Sequence, residues 1–310
     1  MNTNCPICQS KSLLKEKIGV DKIKSSLETY FQSKISDDLE LLDYSIFECS
    51  LCSYSFSFPL IEGSNKFYTW ITNQNTYYPL SRWEYGQVLN IINERNLNSL
   101  LDVGCGDGVF LDYIKSNSKI ENLFGIDTTQ SSINDCQIKG LKNTFCCTTD
   151  EFINHQHVKF DLVTTFHVLE HISDPINFIG GLKKLIKQDG MIVISTPYSP
   201  MDFEYYWFDI LNKPPHHMGF WNERSYRKLA EQLNMNITVA MPPNNKILPT
   251  LINSLKLLIY GPSNDNKINP FYLILSNPLL CSKMLFKLFF RKKVNDKRAS
   301  NVIMVMLKNK

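Results

Sequence analysis

The run LLDVGCGDGVF at 100–110 constrains this 310-residue chain more than any other stretch. SLLDV, just before the first glycine, is apolar at Leu100, Leu101 and Val103, as a strand buried on both faces of a parallel sheet is. Gly104, Gly106 and Gly108 then stand at alternate positions, and VFLDYIKSN follows with Phe110, Leu111 and Ile114 at helical spacing. Strand, glycine turn and helix open a βαβ unit, whose ligand sits beyond the carboxyl end of the strand. Backbone stripped of Cβ atoms there implies a close visitor. A dinucleotide turn, G-x-G-x-x-G, needs glycine at 109, where this chain has Val109. A second strand, NLFGID, ends in Asp127, where a carboxylate can hold two ribose hydroxyls. A helix N-cap is the competing role for Asp127.

Nearer the N-terminus stand two C-x-x-C units, Cys5-Pro6-Ile7-Cys8 and Cys49-Ser50-Leu51-Cys52. Four thiolates close a tetrahedral shell around Zn²⁺ with no open position, so the metal would be structural. The segment between them exceeds the usual zinc-ribbon gap and predicts a helix or hairpin of its own before a strand into Cys49. Cys105, Cys136, Cys146, Cys147 and Cys281 show no ligand spacing. MNTNCPICQS has no apolar core of a signal peptide, and a cytoplasmic protein is expected.

LLDVGCGDG, GID and FDLVTTFHVLEHISDP, in that order across residues 98–240, resemble the class I S-adenosylmethionine (SAM)-dependent methyltransferases. The resemblance implies an α/β fold with a Rossmann-like seven-stranded sheet, carrying here a small N-terminal zinc-binding module and a helical insertion before the last strand. It implies Asp102 near the methionine ammonium, Gly104, Cys105, Gly106 and Gly108 along the cofactor, and Asp127 with Thr128 at the ribose. Thr148, Thr149 and Asp150 fall where the family grips adenine, and Phe166 and His167 where its fourth strand opens onto the sulfonium. His171 reads as a structural residue of the following turn. GGLKKLIKQDG is expected to be a helix stopped by Gly190, before the buried strand MIVISTPYS.

The acceptor belongs beyond that strand, in a segment holding Tyr198, Tyr205, Tyr206, His216, His217 and Trp221. Aromatic faces cover the C–H face of a sugar ring and histidine can take a hydroxyl proton, so His216 and His217, then His167, are the candidate proton acceptors. A lid packed over the cofactor is the plainer alternative. PPHHMGFWNERSYRKL resembles a stretch of bacterial methyltransferases that modify surface glycans or small metabolites. CSLCSYSFSFP with the Tyr-rich segment after it resembles zinc-knuckle methyltransferases, in which that segment drapes over the cofactor; Tyr68, Tyr77, Tyr78 and Arg82 are thereby candidate contacts. The expected reaction is O-methylation of a sugar, glycan or small-metabolite hydroxyl. The alternatives are C-methylation of a nucleotide-linked sugar, a ribosomal-RNA-type enzyme, and a non-catalytic SAM-binding module. Nucleic acid is disfavoured: the formal net charge is only +3, and the first sixty residues carry six lysines against eight acids.

The expected organisation is a zinc module at 1–62, an aromatic-rich helical linker at 63–96, the methyltransferase domain at 97–241 plus 301–310, and a basic helical insertion at 242–300. NITVAM and NVIMVML should pair antiparallel at the sheet edge. Residues 281–298 carry seven cations against one acid beside an apolar side of Leu280, Met284, Leu285, Leu288 and Phe289, which predicts peripheral contact with an anionic membrane face.

Overall fold

A computed structural model of the protein describes residues 3–36, 39–72, 81–156, 158–201, 209–242, 252, 255–256, 270–292 and 301–310. The N-terminal part runs β1 (Thr3–Asn4), β2 (Lys11–Ile18), α1 (Val20–Phe31), β3 (Tyr44–Cys49) and β4 (Ser55–Phe58). The segment between the cysteine pairs therefore contains a strand, a helix and a second strand. Helices α2 (Asn65–Thr72) and α3 (Trp83–Arg95) follow, in the stretch expected to be helical.

The βαβ units come next: β5 (Ser99–Val103), α4 (Val109–Asn117), β6 (Asn122–Asp127), α5 (Gln130–Ile138), β7 (Thr144–Cys146), α6 (Thr149–His155), β8 (Phe160–Phe166), α7 (Pro175–Leu185) and β9 (Ile186–Pro197). The chain continues through β10 (Gly219–Phe220), α8 (Glu223–Gln232), β11 (Met235–Ala240), α9 (Pro270–Ser276), α10 (Pro278–Lys292) and β12 (Val302–Asn309). Local chemistry marks the boundaries. Asp174 caps α7 on the Asn177 N–H with Pro175 at the first helical position, and Asn222 forms a capping box with Ser225 at α8.

Seven strands form one sheet in the order β11-β12-β9-β8-β5-β6-β7. Strands β5 to β9 are parallel, whereas β12 runs antiparallel between β9 and β11. The two C-terminal strands pair as their sequences predict. Every residue of β5 is buried, which explains why it reads as a nearly continuous apolar run. Helix α7 ends at Leu185, short of the expected stop at Gly190, because Ile186 already pairs with Phe160 on β8. Gly190 instead sits in the strand where a Cβ would fall 2.9 Å from the Phe160 carbonyl oxygen.

A second sheet, β1-β2-β3-β4-β10, revises the expected domain boundary at residue 62. Its last strand comes from the segment after the histidine pair: Gly219 and Phe220 pair with Phe56 and Ser55. One buried cluster runs from Cys5, Phe47 and Tyr54 through Trp221 and Tyr226 to Leu101, Val103 and Ile194 of the large sheet. The N-terminal module and the large sheet thus share a core.

Candidate active site

A cavity of about 1040 Å³ opens at the carboxyl ends of β5, β6 and β8. Strand order reverses between β5 and β8, the place where open α/β sheets hold ligands. The glycine turn forms its floor. Gly104 and Cys105 donate their N–H groups to the Ile126 carbonyl at 2.8 and 3.0 Å, which ties the turn to β6. Gly104 (φ +73°) and Gly106 (φ +54°) have left-handed backbones and line the cavity; a Cβ on Gly104 would collide with Val168. Gly108 (φ +79°) departs from its expected place along the cofactor. It is absent from the cavity wall, and a Cβ there would meet Leu141 and Cys136 at 2.6 and 2.7 Å, so its bareness serves helix packing. Cys105 lines the cavity, but its thiol sits close beside Gly125 in the core.

Asp127 and Thr128 line the cavity at the tip of β6. One Asp127 oxygen accepts the Gly106 N–H at 3.0 Å and the other the Thr129 N–H at 2.8 Å. The carboxylate thus holds the turn and starts α5, and each oxygen keeps a lone pair for a hydroxyl. Thr148, Thr149 and Asp150 also line the cavity, although the Thr148 hydroxyl is already committed to a capping box with Glu151. Asp102 is buried and accepts the Thr164 hydroxyl at 2.7 Å. Burial raises its carboxyl to about 7 against that hydrogen bond, and the Asp127 charge adds to the rise.

The opposite wall is built from segments far apart in sequence. His167 (φ +55°) follows β8, and Phe166 beside it also faces the cavity. The His167 Nε2 stands 3.1 Å from a Glu84 oxygen of α3, and its Nδ1 stands 3.2 Å from a Glu170 oxygen. Burial would lower the imidazole, but the hydrogen bonds to Glu170 and Glu84 outweigh it and raise the ring above its usual range. Burial would likewise raise Glu84; the bond to His167 and its charge hold that carboxyl below its usual range. Both ring nitrogens thus face carboxylate oxygens, an arrangement that favours the imidazolium over the free base expected of a proton acceptor. The second Glu170 oxygen is buried with no hydrogen-bond partner among the described residues.

His171, His216 and His217 also line this wall, with ring centroids 4.6 to 4.9 Å apart. Each Nδ1 is tied down: His171 on the His216 carbonyl, His216 on the Leu211 carbonyl at 2.7 Å, His217 on the Asn212 side-chain oxygen at 2.7 Å. His171 thus finds its hydrogen-bond partner outside its own turn. Burial holds His216 down to about 3 and His217 well below the usual histidine range, each pushed further by a neighbouring ring. As general bases near neutral pH they are poorly matched, which revises the role expected of the pair.

Arg82 lines the cavity as expected. Trp221 does not: it is fully buried, its centroid 4.6 Å from both Tyr54 and Tyr226, and it belongs to the shared core. Tyr198 bridges to Trp221 and packs against the same core, outside the cavity wall. Tyr77, Tyr78, Tyr205 and Tyr206 lie outside the described residues.

Away from the cavity, Cys5, Cys8, Cys49 and Cys52 bring their sulfurs within 4.8 Å of one another, with Cys5–Cys52 at 3.6 Å and Cys8–Cys49 at 3.5 Å. Sulfurs around tetrahedral Zn²⁺ at ~2.3 Å stand about 3.8 Å apart, so the donor set and its spacing fit that ion. The Leu51 and Cys52 N–H groups both point at the Cys49 sulfur at 3.4 Å.

A profile described as methyltransferase domain matches residues 84–239, half of the chain. The chain belongs to that methyltransferase family. It is 33% identical over 106 residues to the ubiquinone biosynthesis O-methyltransferase of Actinobacillus pleuropneumoniae serotype 7, covering 31% of this chain and 44% of that protein. The enzyme of the same name from Neisseria meningitidis serogroup A is 28% identical over 103 residues, covering 31% and 43%. The chain thus spans less than half the length of the curated relatives it matches. Among solved structures, the plantazolicin methyltransferase BpumL, in complex with a triazolic desmethylPZN analog and SAH, superimposes with a TM-score of 0.50 at 17% identity, covering 80% of this chain and 92% of that one. That likeness concerns the fold.

Tyr68 lines the cavity with its ring 5.9 Å from His171. In this methyltransferase, sequence reasoning missed Glu84 and Glu170. Glu170 stands beside His171 in the motif VLEH, which offered a weak signal. Glu84 offered none: its partner His167 lies 83 residues away.

Proposed function

We propose that this methyltransferase moves a methyl group from SAM to a hydroxyl of a sugar, glycan or other small polar acceptor. The observation that carries the reading is one cavity shared by a cofactor cradle and a wall of histidines. Asp102 would take the methionine ammonium, Gly104 and Gly106 the close approach, Asp127 the ribose, and the start of α6 the adenine. SAM supplies an activated methyl group on a positive sulfur; the protein must align the acceptor oxygen in line with it. Neutral His216 and His217 suit that task, since their ring nitrogens can hold a hydroxyl by its hydrogen. The relatives named O-methyltransferases support oxygen as the methylated atom. The negative balance of the N-terminal module favours a small acceptor over nucleic acid.

Titration calorimetry of the full chain with S-adenosylhomocysteine tests the cofactor half; absence of binding heat overturns the reading. His216→Ala and His217→Ala are expected to retain that heat while losing transfer of labelled methyl to a panel of sugar and phenolic acceptors. Normal transfer by both variants would remove the histidine wall from the mechanism.

The four-cysteine cluster is read as a structural Zn²⁺ site, closed to substrate because the thiolates fill the coordination shell. A contact with an anionic membrane face is also proposed for the insertion. Leu273 and Cys281 are buried, whereas Tyr272 and Leu275 on α9 and Leu279 on α10 stand 65 to 78% exposed, ahead of Lys283 and the cations that follow it in sequence. No described helix is long and apolar enough to cross a membrane. In vesicle flotation, Leu275→Glu with Leu279→Glu should reduce recovery on phosphatidylserine vesicles; equal recovery of variant and parent discards the contact.

A further inference from the structure

We propose that His171, His216 and His217 form a second metal site, one that takes a divalent first-row cation, Zn²⁺ foremost, in the acceptor wall of the cavity. One ring nitrogen from each lies within 4.8 Å of the others. The decisive feature is how the rings are held. All three spend Nδ1 on an oxygen of the protein: two on backbone carbonyls, one on the Asn212 side chain. Donation from Nδ1 fixes the tautomer whose lone pair sits on Nε2. Metal-ligating histidines are held in this way, the other ring nitrogen donating to a fixed oxygen that orients the ring and raises its basicity. Ligand nitrogens around tetrahedral Zn²⁺ at ~2.0–2.1 Å stand about 3.4 Å apart, so the rings need to converge by an ångström or so.

Glu170, in the same wall and next to His171 in sequence, has a buried carboxylate oxygen with no hydrogen-bond partner among the described residues. Its backbone carbonyl accepts the Met218 N–H at 2.7 Å, which holds the Glu170–His171 turn against the His216–His217 segment. The other Glu170 carboxylate oxygen stands 3.2 Å from the His167 ring, so the carboxylate borders the three-histidine cluster without belonging to it. The surroundings are also built to hold still. The Ser57 N–H donates to the Met218 carbonyl at 2.9 Å, so the histidine segment is clamped between the N-terminal sheet and the turn after β8.

Three imidazoles leave a coordination position open, unlike four thiolates. With the ring lone pairs spent on the metal, the open position, in place of the rings themselves, would hold the acceptor hydroxyl or a water. This deepens the function proposed above: the acceptor would be an oxygen compound able to bind a metal. The metal site itself stands or falls independently of methyl transfer.

The test counts metal on the full-length protein, equilibrated with ZnSO₄ and freed of excess by gel filtration. Two zinc equivalents per chain are expected. Cys5→Ser with Cys8→Ser should remove one, and His217→Ala the other. His171→Asn is the second variant, because an amide N–H can still serve the His216 carbonyl while the Nε2 ligand is gone. It should also lose one equivalent, with S-adenosylhomocysteine binding heat unchanged as the check on folding. Substitution with Co²⁺ separates the sites: thiolate-to-cobalt charge-transfer bands should persist in His171→Asn while one cobalt equivalent is lost. Zinc content identical in parent, His171→Asn and His217→Ala overturns the proposal, whether or not the protein binds SAM.

Discussion

At the scale of single residues, two buried acids behave in opposite ways: Asp102 on the cavity wall and Glu84 behind His167. The folded value of Asp102 lies above its ordinary 3.8, near 7, so burial favours its neutral form and the free protein loses stability as pH rises through that interval. A cation docking beside Asp102 favours the ionised form. Cofactor binding should therefore tighten as pH rises through about 7 and release a proton below it, as calorimetry in two buffers of different ionisation enthalpy would show. Asp102→Asn should abolish this pH dependence and weaken binding by roughly 10- to 100-fold, the loss of a charge-assisted bond of about 1.5–3 kcal/mol. Glu84 behaves in the reverse sense: its folded value is depressed, so its contribution is complete above the ordinary 4.5 and fades as pH falls. That of His167 is complete below the ordinary 6.5 and fades as pH rises through its raised folded value. Glu84→Gln should lower stability by about 3 kcal/mol or more between these two values, since it leaves a buried charge short of one partner. The gap between the melting curves of parent and variant should narrow on the alkaline side.

At the scale of elements, the three glycines of one turn divide between two tasks. Gly106 borders the cavity, whereas Gly108 makes room for α5 through Cys136 and for Leu141. Gly106→Ala is expected to cost about 1 kcal/mol of stability but to weaken S-adenosylhomocysteine binding clearly. Gly108→Ala places a Cβ inside packed side chains and should cost about 1–3 kcal/mol of stability. Thermal melting and cofactor titration of the pair separate the two tasks. Variants that lose stability and affinity in the same proportion would contradict this division. The turn was legible because strand, glycines and helix are contiguous. The sharing of duties was not, since it depends on which neighbour each missing Cβ would strike.

At the scale of the whole molecule, the cysteine cluster lies in the sheet that β10 completes, two residues beyond His217. Chelation of the proposed structural zinc should loosen this sheet first. The expected outcome is a lower melting temperature and loss of methyl transfer, with S-adenosylhomocysteine affinity changed only a few-fold, because the glycine turn belongs to the other sheet. A cofactor affinity that collapses together with the melting temperature would show the two units to be less separable than their sheets.

Local chemistry alone determined a good deal: the βαβ opening, the family, the carboxylates at two strand tips, the antiparallel C-terminal pair and the paired thiols. Each is written in short-range periodicity or motif spacing. Tertiary structure alone decided which side chains meet. Glu84 and His167 are joined across 83 residues, the histidine wall is assembled from two segments 45 residues apart, and Trp221, an apparent substrate platform, became core. Burial is a property of the assembled molecule. It sets whether a histidine offers a proton or a lone pair, and no spacing along the chain encodes that.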